Sequence, residues 1–279
     1  SNKEILKSIG LLECLSNNVK KIPAELIFLA QNLRLLSQSG ELGIIVPAGL
    51  ISGEKWKPIR EFLYSSYCVS NVVQLPTNSF KQTDAQTFIL TLKHKNSIEH
   101  SIPLSHINES AIFNISKTNA IERSDYNYYK EYSGFDASIE LTANDFSLYR
   151  GNISHGDLAC LADEHLHTTT MPDLPVTKGF DFMPFEGGKN TNAGDILIAR
   201  VGRRCLGRTM YIESGRIPIS DCIIGVRPKS DELGEKIWEK LSSPQCREYL
   251  ENVSLGVGAK YITYKTITDY LVNKKNATT

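Results

Sequence analysis

The chain has 279 residues, of which 41% are hydrophobic and 22% charged, a balance typical of a globular protein that can bury one or two cores. Its 31 basic residues equal its 31 acidic residues. Bulk charge therefore does not make the whole chain a polyanion binder, and any nucleic-acid surface must be local. The six cysteines include no C-x-x-C pair, which argues against a disulfide framework or a cysteine zinc site and favours a reducing cytosol. No apolar run suggests a membrane span or a secretory signal.

The first third of the chain begins with two predicted helices. Apolar residues from Ile5 to Leu15 recur at helical spacing and predict one helix that stops at residues 16–18. A second helix is predicted to begin near Pro23, which suits a first-turn position. Its core-facing stripe consists of Leu26, Leu29, Leu33 and Leu36. Phe28 lies off that stripe.

Three predicted strands follow this second helix. They are Leu42–Pro47, Val69–Leu75 and Thr87–Leu92, with a helix KWKPIREFLY after the first and a loop TNSFKQTDA after the second. This order predicts the back half of a mainly parallel α/β sheet. Because Leu42–Pro47 is apolar almost throughout, we expect that strand to be buried on both faces.

The amino-acid composition and the hydrophobic pattern of the sequence change around His94. The stretch that follows is polar and irregular, and no α/β alternation resumes in it, so a connector with a domain boundary between His94 and Leu148 is expected. From Leu148 onward, short strands with glycine turns precede an amphipathic helix, a pattern typical of an α+β domain. Ser243 and Pro244 predict the cap and first turn of another helix.

Two resemblances cover most of the chain. The pieces FLAQNLRLL, GELGIIVPAGLISG, IREFLY and VVQLPTNSFKQTDAQTFIL occur in the order and at the spacing of adenine-N6 DNA methyltransferases of restriction–modification systems. The second half resembles the target-recognition domain of type I specificity subunits. The matching pieces are Arg150-Gly151, residues 194–200, residues 220–226 and residues 256–262.

These resemblances imply an architecture. Residues 1–105 would be the C-terminal part of an S-adenosylmethionine-dependent methyltransferase domain, with a partial Rossmann-like α/β sheet. Residues 106–147 would be a connector, and residues 148–279 an α+β DNA target-recognition domain. The implied reaction is methyl transfer from S-adenosyl-L-methionine to N6 of an adenine in double-stranded DNA, with a restriction endonuclease or other restriction–modification subunits as partners and no membrane.

Two aromatic residues are candidates for the methyltransferase site. A duplex hides the adenine amino group, so an enzyme that modifies it must extrude the base, and aromatic stacking offsets part of that cost. By resemblance, Phe80 in NSFKQT packs against the flipped adenine; the structural alternative is an ordinary loop phenylalanine in the core. Phe28 matches an aromatic that lines the cofactor's adenine ring, and a helix-edge core residue is the alternative.

Two parts of the family's chemistry are missing from this sequence. The family's acceptor motif, an Asn, Asp or Ser followed by two prolines and an aromatic, does not occur, and neither does the Gly-rich turn with its acidic partner that holds S-adenosylmethionine. In the family the acceptor motif lies a few dozen residues before the helix that holds Phe28. We therefore expect this chain to be the C-terminal portion of a longer methyltransferase and to be inactive alone.

Basic residues concentrate in the second half. Five of them fall within twenty residues that contain one acid, Asp195: Lys189, Arg200, Arg203, Arg204 and Arg208. Arginine forks suit guanine edges and phosphates, although a solvated charged surface is the alternative. Further candidates for DNA contact are Lys260, His167 and Thr168.

His165 and His167 also raise the possibility of a metal site, because a His-x-His pair on a strand faces one side. No distant third ligand is identifiable in the sequence, so no metal is predicted. A Ser-His-Asp nucleophile set cannot be assembled either, since no G-x-S-x-G occurs.

Two other functions remain open. The chain could be a DNA-specificity module that binds DNA and recruits a separate catalytic subunit. It could also be a different nucleotide-dependent α/β enzyme whose sheet is only generically similar, which predicts no sequence-specific DNA binding.

Overall fold

A computed structural model describes residues 2–15, 22–81, 83, 85–95, 101–133, 141–181, 185–256 and 259–272. The chain forms two compact units, the first containing residues up to Lys130 and the second containing most of the chain from Glu131. The helices are α1 Asn2–Lys7, α2 Ala24–Leu35, α3 Ala48–Ser52, α4 Lys57–Ser66, α5 Lys117–Glu122, α6 Tyr126–Ser133, α7 His155–Leu161, α8 Asp231–Leu241, α9 Pro244–Val253 and α10 Tyr264–Val272. No helix among the described residues combines the length and apolar character that crossing a bilayer requires.

The first unit is built around a five-stranded mixed sheet with the order β1-β3-β2-β4-β5. The strands are β1 Glu41–Pro47, β2 Tyr67–Gln74, β3 Thr87–His94, β4 Ser101–His106 and β5 Phe113–Ser116. β3 lies between β1 and β2 and runs antiparallel to both, so β1 and β2 point the same way. β2 and β4 are parallel, and β4 and β5 are antiparallel.

The prediction of a mainly parallel sheet is therefore wrong for this chain. β3 lies between β1 and β2, so these two parallel strands do not pair with each other, and each pairs with β3 in the antiparallel direction. The prediction that the first strand is buried on both faces is also wrong. β1 is an edge strand in the described sheet, and its burial alternates: Ile44 is 4% exposed, Ile45 50% and Val46 2%. Only one face of β1 is covered in this unit. Packing against the core therefore accounts for the buried apolar residues of the run but not for the exposed ones.

The helices agree with the sequence in part. α2 begins directly after Pro23 and buries Leu26, Leu29 and Leu33, as predicted, whereas Leu36 is the C-cap residue beyond the helix end and is only partly buried. α1 ends at Lys7, well before the predicted end, because Gly10 has a left-handed φ of 79° that cannot continue a helix. The predicted stop at residues 16–18 lies outside the described residues.

The polar stretch after His94 contains structure that its composition hides. Ser101–His106 and Phe113–Ser116 are the strands β4 and β5 and extend the first sheet, where an irregular segment was expected. Ile102 and Leu104 are buried at alternate positions, but Pro103 and the flanking serines and histidine mask that alternation. The division between the two units falls at residues 130 and 131, inside the predicted connector 106–147.

A buried arginine locks the corner after β1. Arg60 on α4 is 1% exposed. Its guanidinium donates to the carbonyl oxygens of Leu50 at 3.1 Å, Gly53 at 2.8 Å, Ile121 at 2.7 Å and Glu122 at 2.8 Å. Burial lowers the pKa of this side chain. Because four carbonyls accept from one side chain, Arg60 fixes the α3 corner and the end of α5 against α4.

The second unit has its own five-stranded sheet, with the order β6-β10-β8-β9-β7. The strands are β6 Phe146–Arg150, β7 Val176–Gly179, β8 Ile196–Ala199, β9 Thr209–Ser214 and β10 Ile223–Pro228. β7 and β9 are parallel, and the other described neighbours are antiparallel. Ser243 caps α9 and Pro244 starts it, as predicted. α8 and α9 follow the strands, as predicted, but α7 lies between β6 and β7, where no helix was expected.

A buried carboxylate ties three strands of this sheet together. Asp195 is 1% exposed and accepts from the Tyr149 hydroxyl at 2.6 Å, the Asn192 backbone N–H at 2.7 Å and Arg227 Nε and Nη2 at 2.8 and 2.7 Å. Gly225 lies under Tyr149, where a Cβ would come within 2.2 Å of the ring. Burial and the Asp195 carboxylate raise the Tyr149 pKa. The single acid of the basic stretch is thus a structural group.

Candidate functional site

In the first unit, the loop that carries Phe80 lies at the carboxyl end of β2. β1 and β2 run in the same direction and therefore end together, at Pro47 and Gln74. Ligands of open α/β sheets bind outside the carboxyl ends of strands. The loop from β2 to β3, which carries Phe80, begins at this carboxyl end of the strands.

This loop has tied ends and an exposed tip. At its base, Leu75 N–H donates to the Thr87 carbonyl at 3.0 Å, and the Gln86 carbonyl accepts from Ala48 N–H at 3.0 Å. At the tip, Phe80 forms a β-bridge with Thr83. Phe80 is 39% exposed, so the ring is not packed into the core as the structural alternative required. Its role in stacking on adenine stays a prediction.

Phe28 is 57% exposed on α2, on the side away from the buried leucines. Its assignment to the cofactor also stays a prediction. An aromatic ring can cover an adenine, but it cannot hold the charged methionine part of S-adenosylmethionine. Since the sequence lacks the Gly-rich turn and its acidic partner, the residues present do not by themselves make a complete cofactor site.

In the second unit, separate parts of the chain meet at residues 218–222, called here the 218–222 segment. The segment bridges Leu166 through Ile219 on one side and Asn190 through Pro218 on another. Lys189 accepts from Ile219 N–H at 3.0 Å through its carbonyl oxygen. A basic residue and a histidine-bearing loop are thereby brought to one short stretch of backbone.

Arg150 and Gly151 pass close to the same segment. A Cβ on Gly151 would lie 2.2 Å from the Ser220 carbonyl oxygen and 2.3 Å from that of Ile219, so no larger residue fits without displacing backbone. This close approach gives a physical reason for the Arg-Gly pair in the sequence. Arg150 is near enough to lower the pKa of the Cys222 thiol, although burial, the largest cause, raises it.

Arg200 lies at the other end of the 218–222 segment. Its backbone N–H donates to the Cys222 carbonyl at 2.8 Å, and its Nε meets the Asp221 carbonyl at 3.5 Å. The guanidinium carbon lies 6.0 Å from the centroid of Tyr261. Arg203 and Arg204 are exposed in the turn after β8. The backbone of Lys189 and that of Arg200 are therefore both bonded to the 218–222 segment, and the turn follows Arg200 directly in the chain.

Lys260 joins this group through a second backbone pairing. Gly202 N–H donates to the Lys260 carbonyl, and Ile262 N–H donates to the Arg200 carbonyl, both at 3.0 Å. Burial lowers the pKa of the Lys260 ammonium; Glu251 opposes this shift and Arg203 adds to it. An ammonium whose charge is disfavoured in this way gains from a nearby anion.

Two of the predicted DNA contacts have other partners in the structure. Arg208 pairs with Asp173 at 2.5 Å and donates to the Met171 carbonyl at 2.9 Å. Thr168 is 4% exposed, and its carbonyl accepts from Arg208 at 3.4 Å. These contacts fold residues 168–173 onto Arg208. Arg208 would have to leave these partners, and Thr168 its buried position, to reach DNA, and both assignments stay predictions.

His167 lies on the opposite side of the 218–222 segment from Lys189. Its Nδ1 is 2.8 Å from the buried Ser220 hydroxyl. His155 and His165 lie beside it, with the ring centroids of His155 and His167 only 4.0 Å apart. The sequence could not indicate His155, because it precedes the His-x-His pair by ten residues and belongs to α7, whereas the pair lies in the loop that follows this helix.

Comparison with known proteins gives one family match. Residues 14–151, just under half of the chain, match the N-6 DNA methylase family. No curated protein is similar enough to the chain to be matched.

Similar solved structures include three restriction–modification proteins. The type IIG restriction endonuclease BpuSI is 14% identical, with 96% of this chain and 44% of that chain covered at a TM-score of 0.43. The type I methyltransferase subunit from Streptococcus thermophilus is 27% identical, with 42% and 25% covered at 0.28. A nuclease-deletion mutant of the Type ISP enzyme LlaGI, in complex with a DNA substrate mimic, is 12% identical, with 89% and 36% covered at 0.36.

The chain spans less than half the length of each of these structures. At TM-scores below 0.5, none of the three likenesses establishes a shared fold. The family match is independent of them and includes β1, β2, β3 and the Phe80 loop. It supports an N6 DNA methyltransferase, with residues 14–151 as the segment that carries the similarity.

Proposed function

We propose that this chain is part of a site-specific DNA adenine-N6 methyltransferase of a restriction–modification system. The match of residues 14–151 to the N-6 DNA methylases carries the proposal. Residues 1–105 would form the C-terminal part of the catalytic domain and residues 148–279 the DNA target-recognition domain, joined by residues 106–147. The whole protein would transfer a methyl group from S-adenosyl-L-methionine to adenine N6 and act beside a restriction endonuclease or another restriction–modification subunit.

Phe80 would supply a stacking surface for the extruded adenine. Its 39% exposure at the carboxyl edge of the sheet supports this role, because a ring that offers a face to a base cannot be sealed in the core. Unstacking a base costs a few kcal/mol, and stacking on an aromatic side chain returns ~1–3 kcal/mol. Phe28 would cover the adenine ring of the cofactor.

A further segment would complete the catalytic domain. β1 pairs only with β3 among the described strands, so its other edge is open in this sheet. Ile45, on the uncovered face of β1, is 50% exposed. An edge strand presents unpaired backbone groups that another strand can bond. The acceptor motif and the Gly-rich cofactor turn would come with that segment, whether it belongs to the same polypeptide or to another subunit.

The target-recognition domain would approach the duplex with its basic residues. Lys189, Arg200, Arg203, Arg204 and Lys260 would contact phosphates or guanine edges, and His167 would add a polar contact. These residues are attached to the 218–222 segment or to the backbone next to it. This shared attachment supports a single DNA-binding surface and argues against the alternative of separate solvated charges. Arg208 and Thr168 would take part only after leaving their present partners.

The test is methyl transfer by a polypeptide that contains this chain together with a segment holding the acceptor and cofactor motifs. Incubated with labelled S-adenosyl-L-methionine and duplexes of varied sequence, it should label adenine N6 in one sequence context. The chain by itself should bind that duplex without turnover. Labelling of another base, or none with a folded polypeptide that binds the cofactor, would contradict the proposal.

The alternative function is a DNA-specificity module that recruits a separate catalytic subunit. The missing acceptor and cofactor motifs favour it. It predicts sequence-specific binding by this chain and methyl transfer only after a second protein is added in stoichiometric amount. Titration of that subunit into the labelling reaction separates the two functions.

A further inference from the structure

Three histidines that are separate in the sequence meet in the second unit. His155 Nδ1 lies 2.9 Å from His165 Nε2. The rings of His155 and His167 are stacked, with centroids 4.0 Å apart and planes 15° apart. His155, His165 and His167 are called here the histidine cluster. One imidazole of the 2.9 Å pair must donate and the other accept, so the pair shares one proton between its two facing nitrogens.

The cluster is attached to the 218–222 segment. His167 Nδ1 is 2.8 Å from Ser220 Oγ, and Ser220 is fully buried, so this contact fixes the ring. Leu166, between the two cluster histidines of its loop, bridges Ile219. The same segment bonds the backbone of Lys189 on one side and of Arg200 at its end, so the cluster and these two basic residues are attached to one stretch of chain.

The environment of the cluster disfavours protonation in the free protein. Burial, followed by the charge of His155, lowers the pKa of His165. Burial, His155 and His165 lower the pKa of His167, and Asp221 opposes this shift. At neutral pH the lowered pKa values of His165 and His167 favour their uncharged forms, and because the three rings are in contact, each proton that the cluster takes up makes the next one less favourable.

The other ionisable groups around the cluster are few. Asp221 faces His167 from the 218–222 segment. Asp157 lies on α7 and bonds the capping Ser154 at 2.7 Å. Asp163 and Glu164 precede His165 in the chain, and the Cys222 thiol lies next to Asp221 with a raised pKa that burial causes first. Asp221 is the acid that the structure brings to bear on the cluster.

A metal ion is the other ligand that histidines commonly hold. Within the part of the chain that the structure describes, no three histidine, cysteine or acidic side chains have the arrangement to hold one. Stacked imidazoles direct their lone pairs into parallel planes, so His155 and His167 cannot both point at one ion. An anion needs no such convergence of lone pairs, because N–H groups and charge suffice.

We propose that the histidine cluster binds a phosphate group of the nucleic-acid backbone and takes up a proton when it does so. The proposal rests on the DNA-recognition function proposed above and assigns His155 and His165 to its surface. The proton comes from solvent and binds an outer nitrogen of the His155–His165 pair. The inner N–H then donates across the 2.9 Å contact, and the outer N–H groups face the phosphate.

Binding should consequently strengthen as the pH falls. A nearby phosphate favours the charged form, so the pKa of the cluster is higher in the complex than in the free protein. Between these two pKa values binding takes up a proton, and the affinity rises about tenfold for each unit by which the complex raises the pKa. Arginine contacts stay charged throughout and contribute no such dependence.

The experiment is a titration of the whole chain with a labelled duplex oligonucleotide at constant ionic strength, followed by fluorescence anisotropy between about pH 5.5 and about pH 8. The variants are the double substitution His155→Gln and His165→Gln and, as a matched control, His106→Gln. His106 also has a pKa lowered by burial, but it lies in the first unit. Thermal unfolding at each pH verifies that every variant is folded.

The expected result is an affinity that rises about tenfold toward low pH for the unchanged chain and for His106→Gln, and a flat profile for the double variant. A pH profile that the double variant leaves unchanged would overturn the cluster while leaving DNA recognition intact. Absence of duplex binding at every pH would overturn both proposals. Loss of the pH dependence on addition of EDTA would reassign the cluster to a metal ion and overturn the phosphate site.

Discussion

The two units present their candidate residues in opposite ways. The first exposes an uncharged aromatic ring, Phe80, at the tip of one continuous loop whose ends are tied to the sheet. The second brings Lys189, Arg200 and the histidine cluster together from separate loops by attaching them to the 218–222 segment. A site carried by one loop is visible as a linear motif, whereas a site assembled on a shared stretch of backbone is not.

The units also stabilise buried charge differently. Arg60 in the first unit donates to four backbone carbonyls. Arg227 in the second bonds the buried Asp195 and keeps a 40% exposed side chain. An arginine that satisfies carbonyls fixes loops, while a carboxylate that gathers donors from several strands fixes a sheet. Substitutions at the two positions should therefore destabilise different units and by different amounts.

The largest effect is expected for Arg60→Met. Methionine fills the volume but leaves four carbonyl oxygens without their donor, and an unsatisfied buried acceptor costs ~1–3 kcal/mol. After relaxation we expect a loss of roughly 4 kcal/mol in the free energy of unfolding. Urea unfolding followed by hydrogen exchange should localise it to the first unit. Lys57→Met on the same helix, which removes only the ion pair with the half-exposed Glu122 carboxylate, is the control and should cost clearly less.

A smaller loss is expected for Asp195→Asn. The amide cannot accept both Arg227 nitrogens and the Tyr149 hydroxyl as a carboxylate does. Removing one partner of a fully buried pair costs ~3–5 kcal/mol. Since Arg227 is partly exposed, we expect about 2 kcal/mol, confined to the second unit. Asp173→Asn, which breaks the exposed end of the Arg208 pair, should cost clearly less; equal losses would contradict the structural role of Asp195.

Phe80→Ala should act on base extrusion without affecting the fold. Loss of stacking on the flipped base should reduce the extruded population by about tenfold or more. A fluorescent adenine analogue at the target position, in a complex with the complete methyltransferase, reports that population. Phe28→Ala is the comparison variant and should weaken cofactor binding while leaving the extrusion signal. An unchanged signal for Phe80→Ala removes the ring from the adenine pocket.

Arg203 and Arg204 test the charged surface. Their joint replacement by alanine removes two possible phosphate contacts, so the slope of log affinity against log salt should flatten by about two. Lys229 and Lys236 are exposed lysines outside the turn that carries Arg203 and Arg204. Their joint replacement by alanine is the control and should leave the slope unchanged. If both double variants give the same slope, the turn after β8 lies outside the interface.

The smallest expected effect is a pH dependence of stability. His165 and His167 have lowered pKa values in the folded chain, so the unfolded state binds protons first as the pH falls. The contribution of these residues to stability is full above the unfolded pKa of about 6.5 and declines as the pH falls below it. Unfolding midpoints from about pH 7.5 to about pH 5 should fall less for the His155→Gln and His165→Gln double variant than for the unchanged chain.

The sequence by itself determined several local elements and a resemblance to N6 DNA methyltransferases. The leucine spacing located α2, Ser243 and Pro244 located α9, and the loop NSFKQT identified Phe80 as a candidate at a strand end. These features depend on residues within one turn or one loop of each other. Backbone periodicity and capping chemistry are local, so a sequence records them directly.

Only the tertiary structure decided strand direction and convergence. The antiparallel insertion of β3, the strands hidden in the polar stretch after His94 and the approach of His155 to the His165–His167 loop all depend on contacts between distant residues. The pairing of Arg208 with Asp173 and the burial of Arg60 belong to the same class. Local patterns carry no record of which segments pack together, because burial and pairing are properties of the assembled core.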